Sequence, residues 1–199
     1  IFDMREASPI IASPETIALR IAHSQIGRFY GMPVHSIAPD SDAQCHDEQM
    51  AWEKIITFFA ALNSGTNIMI NCGMFSTGLI ASYERLVIDD AILGFLLRVI
   101  RGIEVNAETL AIDLIRKVGP RGHFLNQMHT LRHIRTEYWL PELSNRATYD
   151  NWLRAGGKDM IAKAREKTLK CLKEHKAPEL DPKKKEKIRE IIERYEKMK

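Results

Sequence analysis

The chain has 199 residues, 45% of them hydrophobic, and a net charge of +3. That is enough for one domain with a real core, and no stretch is both apolar and long enough to span a bilayer. Three widely spaced cysteines, Cys45, Cys72 and Cys171, argue against a disulfide scaffold and for a reducing, cytoplasmic compartment.

The opening Ile1-Phe2-Asp3-Met4-Arg5 reads as the end of a strand, so an upstream portion is expected. Ser13-Pro14-Glu15 then starts a helix over 14–30: a hydroxyl cap, Pro in the first turn, and an acid at the positive dipole end. Gly31 and Pro33 stop it, and residues 34–38 form a short strand. Asp47-Glu48 caps a second helix over 48–63, and Ser64-Gly65 ends it. Residues 67–70 are the next strand, which breaks into Asn71, Cys72 and Gly73 before a small-residue loop and a long apolar helix up to Gly102.

Repeated strand–helix units of this length imply a parallel sheet covered by helices. With the strand end at residues 1–4 the count is three, too few to close a barrel, which takes about eight. Beyond Gly102 the pattern turns helical: helices are expected over 106–118, 127–139, 149–154, 158–175 and 181–197. Ile188, Ile191, Ile192 and Tyr195 share one face of the last, which predicts packing. The basic surplus is confined to this end: residues 166–199 hold 12 Lys/Arg against 8 Asp/Glu, and residues 1–165 hold 17 against 18. A nucleic-acid binder would show a basic face interleaved with aromatics, which the near-neutral body lacks.

Chemistry in parallel α/β sheets sits at the C-terminal strand ends. Those ends group Asp3 and Glu6, His35 with Asp40 and Asp42, and Asn71 with Cys72, Gly73 and Met74. Carboxylates and the nearby Phe75 ring would suit a small cation. The same acids also suit helix caps and turns, and composition leaves both readings open. Cys45, His46 and Cys72 lack paired metal-ligand spacing. His129 and His133 stand i,i+4, but Thr130, Leu131 and Arg132 fill the gap where a zinc-protease motif would need Glu. With His123 they are expected to pack against a barrel face, and no metal ligand set is assigned. Gly73–Gly78 lacks the Lys-Ser/Thr of a phosphate loop, and Asp89-Asp90 is expected to stabilise a first helical turn.

Several segments in order resemble the trimethylamine methyltransferase family. They are Asp3-Met4-Arg5, Ser13-Pro14-Glu15, residues 81–90 (ASYERLVIDD), Ile92-Leu93-Gly94, residues 101–105 (RGIEV), residues 118–125 (VGPRGHFL), residues 129–133 (HTLRH) and residues 139–143 (WLPEL). The resemblance covers residues 1–180. It implies the C-terminal portion of a (β/α)8 TIM barrel followed by a helical C-terminal region. The divisions would be 1–102 for the barrel units, 103–180 for a helical region packed on them, and 181–199 for a charged helix.

The resemblance also implies transfer of a methyl group from a methylated amine to the Co(I) corrinoid of a separate carrier protein. Some members carry pyrrolysine and use trimethylamine; others use quaternary amines such as glycine betaine. The loop at residues 40–47 is where the pyrrolysine position is expected, and it reads Ser41-Asp42-Ala43-Gln44-Cys45-His46. Betaine users are expected to hold the substrate carboxylate with Arg and His, where this sequence has His35 and Asn71; that favours a donor without a carboxylate, or one held differently. On this basis Asp3, Glu6, Asp40 and Asp42 are the expected mouth carboxylates and His35 and Asn71 the substrate-orienting groups. Cys72, Gly73 and Met74 are the expected contacts to the corrinoid. The competing expectation is a non-catalytic barrel fragment that binds a corrinoid or a partner protein.

Overall fold

The computed structural model describes residues 1–198 and divides into two units, residues 1–168 and a second from Leu169. Helix starts follow the sequence closely. In α1 (Pro14–Phe29) the Ser13 hydroxyl accepts from the Thr16 amide, and in α2 (Glu48–Asn63) the Asp47 carboxylate accepts from the Met50 amide. Ser82 does the same for the Arg85 amide at the start of α3 (Tyr83–Ile100).

The first unit opens on an antiparallel hairpin of β1 (Phe2–Asp3) and β2 (Ser8–Pro9). The parallel pair is β3 (His35–Ile37) and β4 (Ile68–Ile70), in the register His35–Ile68, Ser36–Met69 and Ile37–Ile70. The expected third parallel strand at residues 1–4 is thus corrected: it turns back on itself instead of joining β3 and β4. A second hairpin, β5 (Met74–Phe75) with β6 (Ile80–Ala81), interrupts the segment read as leading straight into a helix. Its turn holds Ser76, Thr77 and Gly78 at positive φ, a tight reversal that hydrophobic periodicity does not reveal.

Between the strands and α2 and α3 lies a core of Ala38, Phe58, Ala61 and Leu96, with Met69, Ile92 and Leu93 against it. A second cluster joins Ile88 of α3 to Leu143 and Ala164. The strands keep Ile68 and Ile70 exposed, an apolar surface that the described residues leave uncovered.

Past Ile100 the elements shorten. The helix expected over 106–118 divides into α4 (Ala107–Leu110) and α5 (Ile112–Val118) at Ala111, whose φ is 50°. A reciprocal cap closes α4, with Asn106 and Thr109 each bonding the other's amide. Then come α6 (Met128–His133), α7 (Tyr149–Arg154) and α8 (Met160–Glu174). The first of these stops six residues short of the expected end, because the chain at Thr136 and Glu137 turns to offer carbonyls to Arg101 and Arg98. In the second unit, α9 (Pro182–Glu196) has no buried residue, and the packing expected of its Ile188–Tyr195 face is not formed there. No helix of the described residues is long and apolar enough to cross a membrane.

Candidate functional site

The loops after β3 and β4 meet through charge. Asp40 is 1% exposed, and its carboxylate lies 2.7 Å from the Arg20 guanidinium and accepts a 3.4 Å bond from the Asn71 side-chain amide. The Asp40 amide donates to Thr57 of α2. Burial pushes the Asp40 carboxyl above its ordinary value, against the pull of Arg20 and Asn71.

A second buried carboxylate fixes the next turn. Asp89 Oδ2 accepts from Lys54 Nζ at 2.7 Å and from the Gly73 amide at 2.7 Å, while Oδ1 accepts from Arg85 Nε at 2.9 Å. Lys54 and Asp89 are both wholly buried. Burial drives the Lys54 ammonium down, and Asp89 opposes that shift. The expected role of Asp89 in a first helical turn is therefore corrected: α3 begins at Tyr83, and Asp89 lies in its second turn, facing inward. Gly73 has φ 83°, and a Cβ there would stand 3.2 Å from the Leu86 Cβ and 3.3 Å from the Ser82 carbonyl. A side chain there would be strained in the backbone and would force α3 to give by a few tenths of an ångström, so glycine suits this approach of the turn.

Asp42 ties the opening hairpin to these loops. Its carboxylate accepts from the amides of Ile11 and Ala12 and from the Thr77 hydroxyl. Its own amide donates to Glu53, which also accepts from the Ser41 hydroxyl at 2.7 Å. Beside them opens a cleft of about 360 Å³ whose lining includes Asp3, Asp42, Gln44, Trp52 and Glu53. Asp3 is paired with Arg5 at 2.9 Å, which holds its carboxyl well below the usual range. The Trp52 side chain at the cleft is 55% exposed.

The expected single mouth thus resolves into separate places. Asp3 and Asp42 share the cleft; Asp40 pairs with Arg20 and accepts from Asn71. Cys72 and Gly73 line a different cleft with Ser82, Tyr83 and Leu86, while Met74 lies in β5. Glu6 is exposed. His35 is also exposed and pairs with Ile68 at the start of β3, the end of the sheet opposite Asn71. Grouping His35 with the C-terminal strand ends is corrected by that register. Sequence reading missed Arg20, Trp52, Glu53, Lys54 and Arg85. Two signals were available: Lys54 sits in α2 among Ile55, Ile56 and Phe58, and Arg85 stands i,i+4 from Asp89.

The family model described as trimethylamine methyltransferase matches residues 1–198. The chain belongs to the trimethylamine methyltransferase family. It is 35% identical over 181 residues to the glycine betaine methyltransferase of Desulfitobacterium hafniense (strain Y51), covering 90% of this chain and 38% of that protein. It is 34% identical over 180 residues to the trimethylamine methyltransferase MttB of Methanosarcina thermophila, covering 90% of this chain and 37% of that one. With the trimethylamine methyltransferase MttB of Desulfitobacterium hafniense (strain DSM 10664 / DCB-2) the identity is 29% over 196 residues, 98% of this chain and 39% of that protein. The chain therefore spans under two-fifths of the length of these methyltransferases. Both a betaine and a trimethylamine enzyme are similar to it at nearly equal identity, so family membership alone does not select the methyl donor.

Proposed function

We propose that the chain forms the C-terminal barrel portion of a cytoplasmic methyltransferase. Its donor is a methylated amine, and its acceptor is the Co(I) corrinoid of a partner protein. Membership of the family along residues 1–198 carries this reading. The cleft holding Asp3, Asp42 and Trp52 supports it chemically.

A tetraalkylammonium has no N–H to donate and a protonated trialkylamine has a single one, so charge and aromatic surface must do most of the holding. The indole of Trp52 offers cation–π attraction of about 0.5–2 kcal/mol, and Asp3 and Asp42 add negative charge. Arg5 and the chain's own amides already occupy those carboxylates in part. That tempers the attraction, which matters because the donor nitrogen loses its positive charge in the reaction. The methyl–nitrogen bond breaks with its electron pair staying on nitrogen, while the Co(I) electron pair forms the new bond to carbon. The protein's share is alignment of the three atoms and exclusion of water.

In this reading Asn71, bonded to Asp40 and outside the lining of that cleft, positions the loop after β4 rather than touching the donor. The turn at Cys72, Gly73 and Met74 faces the acceptor, and the bond from the Gly73 amide to Asp89 sets its position. Glu6 and His35 stand apart from the cleft and act at most from its surroundings.

The test is methyl transfer to free cob(I)alamin by the full-length enzyme, offered trimethylamine and then a series of quaternary amines. Methylcobalamin formation with one of them is expected. Failure with every methylated amine overturns the reading.

A further inference from the structure

The structure brings to the two helical histidines a third partner that sequence spacing does not indicate. His133 Nε2 lies 3.6 Å and His129 Nε2 4.0 Å from the same carboxylate oxygen, Oε1 of Glu108. The two imidazole rings stand 4.3 Å apart between centroids, tilted by 42°. One ligand atom from each of the three residues lies within 4.8 Å of both others. A tetrahedral ion with bonds of about 2.0–2.1 Å separates its ligand atoms by roughly 3.3 Å. Small side-chain rotations, short of any backbone change, close the difference.

We propose that Glu108, His129 and His133 bind one divalent transition-metal ion of the zinc class as a clip between α4 and α6. Two neutral imidazoles and one carboxylate suit zinc, cobalt(II) or nickel(II), whereas magnesium and calcium favour sites built wholly of oxygen. Each imidazole keeps 27% exposure and Glu108 keeps 62%, which leaves room for a water as fourth ligand. Without metal, His129 Nε2 donates to the main-chain carbonyl of Glu108 at 2.9 Å, and that bond is given up when the ion binds.

The surroundings explain what such a clip is for. Residues 101–142 contain no buried side chain, and both α4 and α6 are shorter than two turns. Helices this short do not persist on backbone bonds alone. The reciprocal cap of Asn106 and Thr109 already fixes the turn that carries Glu108, so its carboxylate is presented in a set direction. A metal linking it to residues 21 and 25 positions later would join two turns that no core holds together. The inference concerns residues outside the proposed substrate cleft and stands independently of the methyl-transfer reading.

The experiment is zinc titration of the metal-stripped full chain against a chromogenic chelator, repeated with cobalt(II) and read by visible absorption. One ion per chain is expected, with the intense bands of four-coordinate cobalt and no near-ultraviolet thiolate band. His129→Ala and His133→Ala should each weaken binding by at least about tenfold, the scale on which even outer-shell changes act. Glu108→Gln, an isosteric change at an exposed side chain, should weaken it without touching the fold, as circular dichroism would verify. Cys45→Ser and His46→Ala should leave it unchanged. Absence of uptake, a thiolate band, or binding that survives both His133→Ala and Glu108→Gln would overturn the site.

Discussion

Residues 34–96 and residues 101–142 belong to one unit yet are held by opposite means. The first stretch buries charge. Asp40, Lys54, Arg85 and Asp89 are each at most 4% exposed, inside a framework of α2, α3 and two parallel strands. The second stretch has no buried side chain and relies on partly or fully exposed bonds, such as those of Arg98 and Arg101 to Glu137. Buried ion pairs contribute little net stability but are costly to break, because the surviving partner is stranded away from water. They fix geometry. Exposed pairs do neither strongly. The difference assigns the precise work of the molecule, placing the turns after β3 and β4, to the first stretch.

Breaking the buried network should have the largest effect. Asp89→Ala takes from Lys54 and Arg85 the carboxylate they share, removes the acceptor of the Gly73 amide, and should destabilise the fold by about 3–5 kcal/mol in denaturant unfolding. Adding Lys54→Met to it should recover part of that loss, because the stranded ammonium is then gone. A double variant as unstable as the single one would show that the lost bonds of Gly73 and Arg85, not the stranded Lys54 ammonium, dominate.

Next in size is Trp52→Ala in the full-length enzyme. Removing the indole from the cleft should raise KM for the methylated amine by about two- to thirtyfold, the equivalent of roughly 0.5–2 kcal/mol, and change kcat less. An unchanged KM would move the substrate away from this cleft and towards the contact of Asp40 with Asn71.

These outcomes depend on residues that differ in how visible they were in sequence. Caps at Ser13 and Asp47 were legible because a cap needs one residue at one place, and α2 matches its expected bounds at Glu48 and Asn63. The hairpins were not. Phe2 and Asp3 pair with Pro9 and Ser8, only seven and five residues on, but no Asn-Gly or Asp-Gly turn between them announces a hairpin; His35, by contrast, stands second in the strand expected over 34–38, so its place away from the C-terminal strand end was legible. Asp89 was misread for a different reason: an acid in a helix is ordinary at the first turn, and its burial depends on Lys54, 35 residues earlier. Glu108 escaped notice because its meeting with His129 and His133 comes from the approach of two short helices, not from spacing within one.

Asp40 provides a smaller effect, seen in pH dependence. Its folded carboxyl titrates above the reference 3.8, so between the unfolded and folded values the native state binds more protons than the unfolded one. Its contribution is full below 3.8 and is lost as pH rises through the folded value. Asp40→Asn should therefore remove a decline in stability over that window, measured by denaturant midpoints at successive pH values. A profile that keeps the same decline would place its origin in another group.

The smallest effect should come from the weakly held stretch. Arg98 donates Nε and Nη2 to the main-chain carbonyl of Glu137 and reaches its carboxylate at 3.2 Å, and Arg101 takes the other carboxylate oxygen at 2.8 Å. The carbonyl bonds survive when Glu137 is neutralised. Glu137→Gln should thus cost less than about 1 kcal/mol, and less still in high salt, because the side chain is partly exposed. Arg98→Ala also loses the carbonyl bonds and should cost more, about 1.5–3 kcal/mol. Equal losses from the two variants would mean that the carboxylate, rather than the backbone turn at Glu137, anchors this stretch to α3. Charge would then do in the open part of the molecule what Asp89 does in the buried part, and the contrast between the two regions would shrink to one of exposure.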